Sequence, residues 1–117
     1  MRGWVLALLL AGPAVAAEPP RRLVLFADGT ADPVLAAQRA AVRAGAAGLA
    51  ARDIRVTERI GGDGRERRRL GVPARGFGAV LIGRDGGVKL RSAEVMRVET
   101  VFGTVDAMQM RRREMGR

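Results

Sequence analysis

The sequence predicts an α/β protein: a small mixed four-stranded sheet whose elements run strand, helix, strand, helix, hairpin, helix, with helices on both faces. Three observations carry this. From Gly76 to Ser92 a continuous apolar run, Phe77 to Ile82, meets Asp85-Gly86-Gly87 and then the alternating Val88, Lys89, Leu90, Arg91. Asp-Gly reaches positive φ at low steric cost, so the chain reverses there into a β-hairpin. Two short strands, Leu23–Ala27 and Ile54–Ile60, flank an alanine-rich helical stretch, and a right-handed crossover makes them parallel neighbours. Finally, Val98, Val101, Phe102, Val105 and Met108 recur at helical spacing.

Taken in order, the chain opens Met-Arg-Gly-Trp, continues with the apolar Val5 to Leu10 and reaches the small residues Ala14 to Ala17. A short positive segment, an apolar run too brief to span a bilayer and a small-residue site describe a secretory signal peptide over 1–17, cleaved after Ala16 or Ala17. An uncleaved anchor or a buried helix is the competing reading, and Gly12-Pro13 breaks the run where an anchor would continue. Glu18-Pro19-Pro20-Arg21-Arg22 reads as an extended, exposed leader over 18–22. The domain follows over 23–110, and a basic tail over 111–117. Roughly a hundred residues after the signal suffice for one compact domain.

Leu23 to Ala27 is apolar at every position, which suits a strand buried on both faces. Asp32 before Pro33 starts a helix, because its carboxylate accepts first-turn amides and proline needs none. That helix is expected from Pro33 to about Arg52, with Leu35, Val42, Ala46 and Leu49 on its apolar stripe and Gln38, Arg39, Arg43 and Arg52 largely off it. Gly45 and Gly48 each weaken it by about 1 kcal/mol relative to alanine, and their small size suits close approach to the sheet. Ile54 to Ile60 alternates between an apolar and a charged face. Asp63-Gly64-Arg65-Glu66 has capping-box spacing for a short helix from Arg65 to Leu70, closed by Gly71 and stopped by Pro73. After the hairpin, the last helix is expected from about Arg97 to Ala107.

Composition removes most common enzyme chemistry. There is no Cys, His or Tyr, and Ser92 is the one serine. Thiol redox chemistry, Ser-His and Cys-His nucleophiles and His-ligated zinc are therefore excluded, and no cofactor or metal is implied. The formal charge is +9, or +8 without Arg2, and Lys89 is the one lysine. Such a balance favours phosphate, anionic headgroups or acidic partners, and its plain alternative is arginine on a solvated surface. One Trp and three Phe are too few for base-stacking platforms, and export argues against nucleic acid as partner.

The run Leu70-Gly71-Val72-Pro73, then Gly78 to Gly87, is similar to the third strand and following turn of thioredoxin-like proteins, and the element order resembles the thioredoxin fold. More closely, Phe77 to Ser92 together with Asp106 to Met115 resembles a family of exported bacterial proteins described only as a domain of unknown function, with Gln109 where members commonly have proline. The resemblance implies a thioredoxin-like fold and export, and no established activity. Redox members carry a Cys-x-x-Cys pair between first strand and first helix and a cis-proline before the third strand. Here those places hold Asp28-Gly29-Thr30-Ala31-Asp32 and Phe77.

The expected function is a non-catalytic binding domain of the cell envelope, periplasmic or secreted, with an unknown envelope protein or an anionic surface as partner. Its candidate ligand surface is Asp28, Thr30, Asp32, Arg75 and an exposed Phe77 rim. The alternatives are a small hydrolase or ligand-processing enzyme using Asp28 and Asp32, and an anionic membrane-surface binder. The membrane-surface reading uses Arg67, Arg68 and Arg69, which otherwise form a solvated helix face, with Arg111, Arg112 and Arg113. Met96, Met108, Met110 and Met115 offer thioethers to Cu(I), or packing. Mass analysis of the exported chain is expected to give a mature N-terminus at Ala17 or Glu18; an intact Met1 on exported protein would contradict the cleavage.

Overall fold

The computed structural model describes residues 18–115. The expected signal peptide with its cleavage point, the side chain of Met115 and Arg117 lie outside the described residues. β1, Arg21–Ala27, is followed by α1, Pro33–Ala44, and α2, Ala46–Ala51. Then come β2, Ile54–Ile60, α3, Arg65–Leu70, β3, Gly78–Ile82, β4, Val88–Ser92, and α4, Val98–Met115. The sheet order is β2-β1-β3-β4: β2 runs parallel to β1, and β3 and β4 complete it antiparallel. This is the mixed α/β sheet that the element order predicts.

β1 is apolar at every position from Leu23 because it is central and covered twice. Its side chains alternate between two cores. Leu23, Leu25 and Ala27 pack with Leu35, Leu49, Val101 and Val105 of the three helices on one face. Val24 and Phe26 pack on the other with Leu70 of α3, Val72, Val80 and Ile82. The hairpin forms at the expected turn, with Gly86 at φ +82° and the Asp85 carboxylate accepting from the Gly87 amide at 2.9 Å.

Several local expectations are corrected. The first long helix is two, which meet at Gly45 (φ −99°, ψ 14°), whose amide donates to the Ala41 carbonyl and whose carbonyl accepts from the Leu49 amide. Its glycines serve α4 rather than the sheet. A Cβ at Gly45 would stand 3.1 Å from Val98, and one at Gly48 would stand 2.5 Å from the Phe102 ring. Gln38, expected off the apolar stripe, is fully buried: its amide donates to the Met96 carbonyl at 2.9 Å and accepts from the Met96 amide at 2.6 Å. Both polar ends are satisfied, so the buried amide clamps the approach to α4 onto α1.

β1 begins two residues earlier than expected, and Arg21, assigned to an exposed leader, is buried. The capping box does not form. Gly64 takes the N-cap in the left-handed region, Asp63 accepts from the Arg65 amide, and Glu66 turns to Arg59 at 2.9 Å. On β2 only Ile54 reaches the core; Val56 and Ile60 are exposed, and Glu58 between them pairs with Arg39 at 2.6 Å. α4 continues past Ala107, placing Arg111, Arg112 and Arg113 on a helix, where cations oppose the negative end of the dipole. No helix among the described residues is long and apolar enough to cross a membrane.

Gly48→Ala tests the close approach of α2 and α4. Alanine favours a helix by about 1 kcal/mol, but the new methyl must displace Phe102, whose ring carries the Arg52 guanidinium 4.1 Å from its centre. Urea unfolding is expected to show a net loss of about 1 kcal/mol or more. An unchanged or raised midpoint would contradict the packing.

Candidate functional site

Polar groups gather at the two ends of β1. Past its C-terminal end, Asp28 meets the loop before β3: one carboxylate oxygen accepts from the Gly76 amide at 2.9 Å, the other lies 3.5 Å from Arg67 Nη2. Arg67 is 3% exposed. It donates to the Pro73 carbonyl at 2.8 Å and lies over the Phe26 ring, 5.3 Å from its centre. A guanidinium taken out of water needs such partners on every side, and here β1, the end of α3 and the β3 approach supply them.

Beside this tie opens a crevice of about 320 Å³ lined by Asp28, Gly61, Gly62, Arg67, Ala74 and Arg75. Gly61 and Gly62, at φ +72° and +98°, turn the chain off β2 there, and Gly61 donates to the Ala27 carbonyl at 2.9 Å. The structure therefore brings Asp28, Arg67 and Arg75 together. It does not bring the rest of the expected surface with them. Phe77 is buried in the α1/α2/α4 core, so no aromatic rim forms. Asp32 is occupied as the α1 cap, accepting from Val34 at 2.8 Å and Leu35 at 3.2 Å. Thr30 is exposed and lines neither this crevice nor its neighbour.

The arginines of α3 separate as well. Arg67 faces inward, so it belongs to no solvated face, while Arg68 and Arg69 are exposed and Arg69 reaches Glu66 at 3.7 Å. Among the described residues the methionines do not converge. Met96 is core, Met108 packs against the same core, and Met110, 55% exposed, lies about 18 Å along α4 from its start. Among the described residues no group of carboxylates is placed to hold a metal.

At the opposite end of β1, Arg21 shares a cavity of about 280 Å³ with Arg84 and Lys89 of the hairpin and Arg111 and Arg112 of α4. Arg84 is held by Asp53 at 2.8 Å and Glu18 at 3.4 Å, and Lys89 by Asp85 at 3.1 Å. The Arg84 hydrogen bond keeps the Asp53 carboxyl below its ordinary value, and the Gly87 amide and then Lys89 do the same for Asp85. Burial first, then Arg84 and Arg112, push Arg21 below the ordinary arginine value, and Asp53 and Glu18 offset part of that. Sequence reasoning missed Arg21, Arg84 and Lys89. The signal available was the Arg21-Arg22 pair abutting a wholly buried strand.

The family described as domain of unknown function DUF4174 matches residues 16–114. The chain belongs to that family. The match takes in the hairpin and the Met/Arg stretch of α4, the two segments that carry the sequence resemblance to a domain of unknown function. No curated protein and no solved structure matches the chain. In this DUF4174 domain both ends of β1 are thus described by their own geometry.

Arg67→Met is expected to cost about 1–3 kcal/mol in chemical denaturation, because the Pro73 carbonyl and Asp28 both lose a charged donor. Asp28→Asn keeps an acceptor for the Gly76 amide and is expected to cost less than about 1 kcal/mol, its side chain being 61% exposed. Equal losses would contradict the assignment of Arg67 as the central member.

Proposed function

We propose that this DUF4174 domain is a non-catalytic binding domain on a thioredoxin-like scaffold, working in the cell envelope. The scaffold reading is supported by the order β2-β1-β3-β4 with a single parallel pair, α3 on one face and the other three helices opposite. Export is supported by the residue pattern of Met1 to Ala17.

The observation that carries the binding reading is the Asp28 tie. Where a thiol pair would sit in a redox relative, Asp28 fastens the Gly76 amide and Arg67, leaving a crevice with Arg75 on its rim. Two glycine backbones and the exposed guanidinium of Arg75 suit a protein segment that presents a carboxylate. Catalysis by Asp28 and Asp32 gains no support, since each carboxylate is already engaged and Asp32 does not line the crevice.

A photo-crosslinking residue at position 75, compared with one at the exposed Glu99, tests this in intact cells. A discrete adduct at position 75 and none at 99 is expected. Matching adduct patterns at the two positions would overturn the reading.

A further inference from the structure

We propose that the cavity at the N-terminal end of β1 is a binding site for a phosphate-type oxyanion. It stands apart from the Asp28 crevice, at the other end of the same strand. Five cationic side chains, Arg21, Arg84, Lys89, Arg111 and Arg112, line it against one carboxylate, Asp85.

Arg21 forms the floor. It is 4% exposed, and its Nη1 donates to the Arg52 carbonyl at 2.6 Å; among the described residues no carboxylate lies within ion-pair reach of it. A buried cation facing further cations is unfavourable unless an anion answers it. The nearby carboxylates are spent on the walls: Asp53 and Glu18 fix Arg84, while Asp85 fixes Lys89 and caps the turn through the Gly87 amide. Gly83 lets the Lys89 stem cross into place, since a Cβ there would stand 2.6 Å from Lys89 Cε. Arg84 and Lys89 are therefore held before any ligand arrives, which lowers the ordering cost of binding.

The dipole of α4 accounts for Arg111 and Arg112 near a helix C-terminus, but not for Arg21, Arg84 and Lys89, which β1 and the hairpin contribute. Guanidinium forks match the oxygens of a tetrahedral anion pairwise, and a space of about 280 Å³ takes a phosphate or diphosphate group with its water. That group arrives on a small soluble molecule or at the head of a lipid; the chemistry of capture is the same.

Calorimetric titration of the purified protein with sodium diphosphate, at fixed ionic strength, tests the site. Saturable binding to one site is expected. Reversing both exposed arginines, Arg111→Glu with Arg112→Glu, is expected to weaken it about tenfold or more. The same charge change on α3, Arg68→Glu with Arg69→Glu, is expected to leave it within about twofold. Co-sedimentation with phosphatidylglycerol vesicles, against phosphatidylcholine, separates the sources. Vesicle binding that diphosphate competes away, and that only the α4 variant loses, assigns a lipid headgroup; diphosphate binding without vesicle binding assigns a soluble ligand. Absence of saturable diphosphate binding, or equal weakening by the two charge reversals, would overturn the proposal.

Discussion

The structure depends on one strand being dry on both faces. From Leu23 to Ala27, no residue of β1 is more than 2% exposed, because each alternate position enters a different core and each edge is paired. Burial of that kind stabilises the domain through its largest favourable term, and it also forbids polar chemistry along the strand. Polar groups are left only the two ends. Asp28 stands just past one end and Arg21 at the other, and each gathers partners from segments that the strand order brings alongside.

The two ends are finished differently. At the Asp28 end, carboxylate, guanidinium, backbone amide and carbonyl satisfy one another, and the result is a tie between α3 and the approach to β3. At the Arg21 end, the carboxylates hold the walls and cationic groups still converge on the cavity. Arg52 links this end to the helices: it receives the Arg21 guanidinium on its carbonyl, grips Asp106 with two hydrogen bonds of 2.9 and 3.0 Å, and stacks on Phe102. The seating of α4 and the floor of the cavity are consequently parts of one arrangement. With no Cys in the chain, packing and such ion pairs carry the stability that disulfides supply elsewhere.

Much of the architecture was legible because its signals are local. An Asp-Gly turn between an apolar run and an alternating one specifies a hairpin without reference to anything else, and the β–α–β order then leaves few topologies. The close approach at Gly45 was not legible, since the residue it admits is Val98, more than fifty residues away. Nor was the burial of Arg21 and Gln38, whose partners Arg52 and Met96 are distant in sequence, or of Arg67, which joins the distant Asp28 to the nearby Pro73. Composition leaves no residues for thiol or imidazole chemistry. For the candidate surface, topology placed Asp28 beside the loop at Gly76, while side-chain direction, which decides that Phe77 turns inward, follows from packing that no local pattern encodes.

Amide hydrogen exchange, resolved by residue, tests the central constraint most directly. If β1 is the dry axis of the domain, the amides of Leu23 to Phe26 exchange only through global unfolding, while the outer β2 and β4 exchange sooner through local opening. Exchange of β1 as fast as that of β2 would contradict the account.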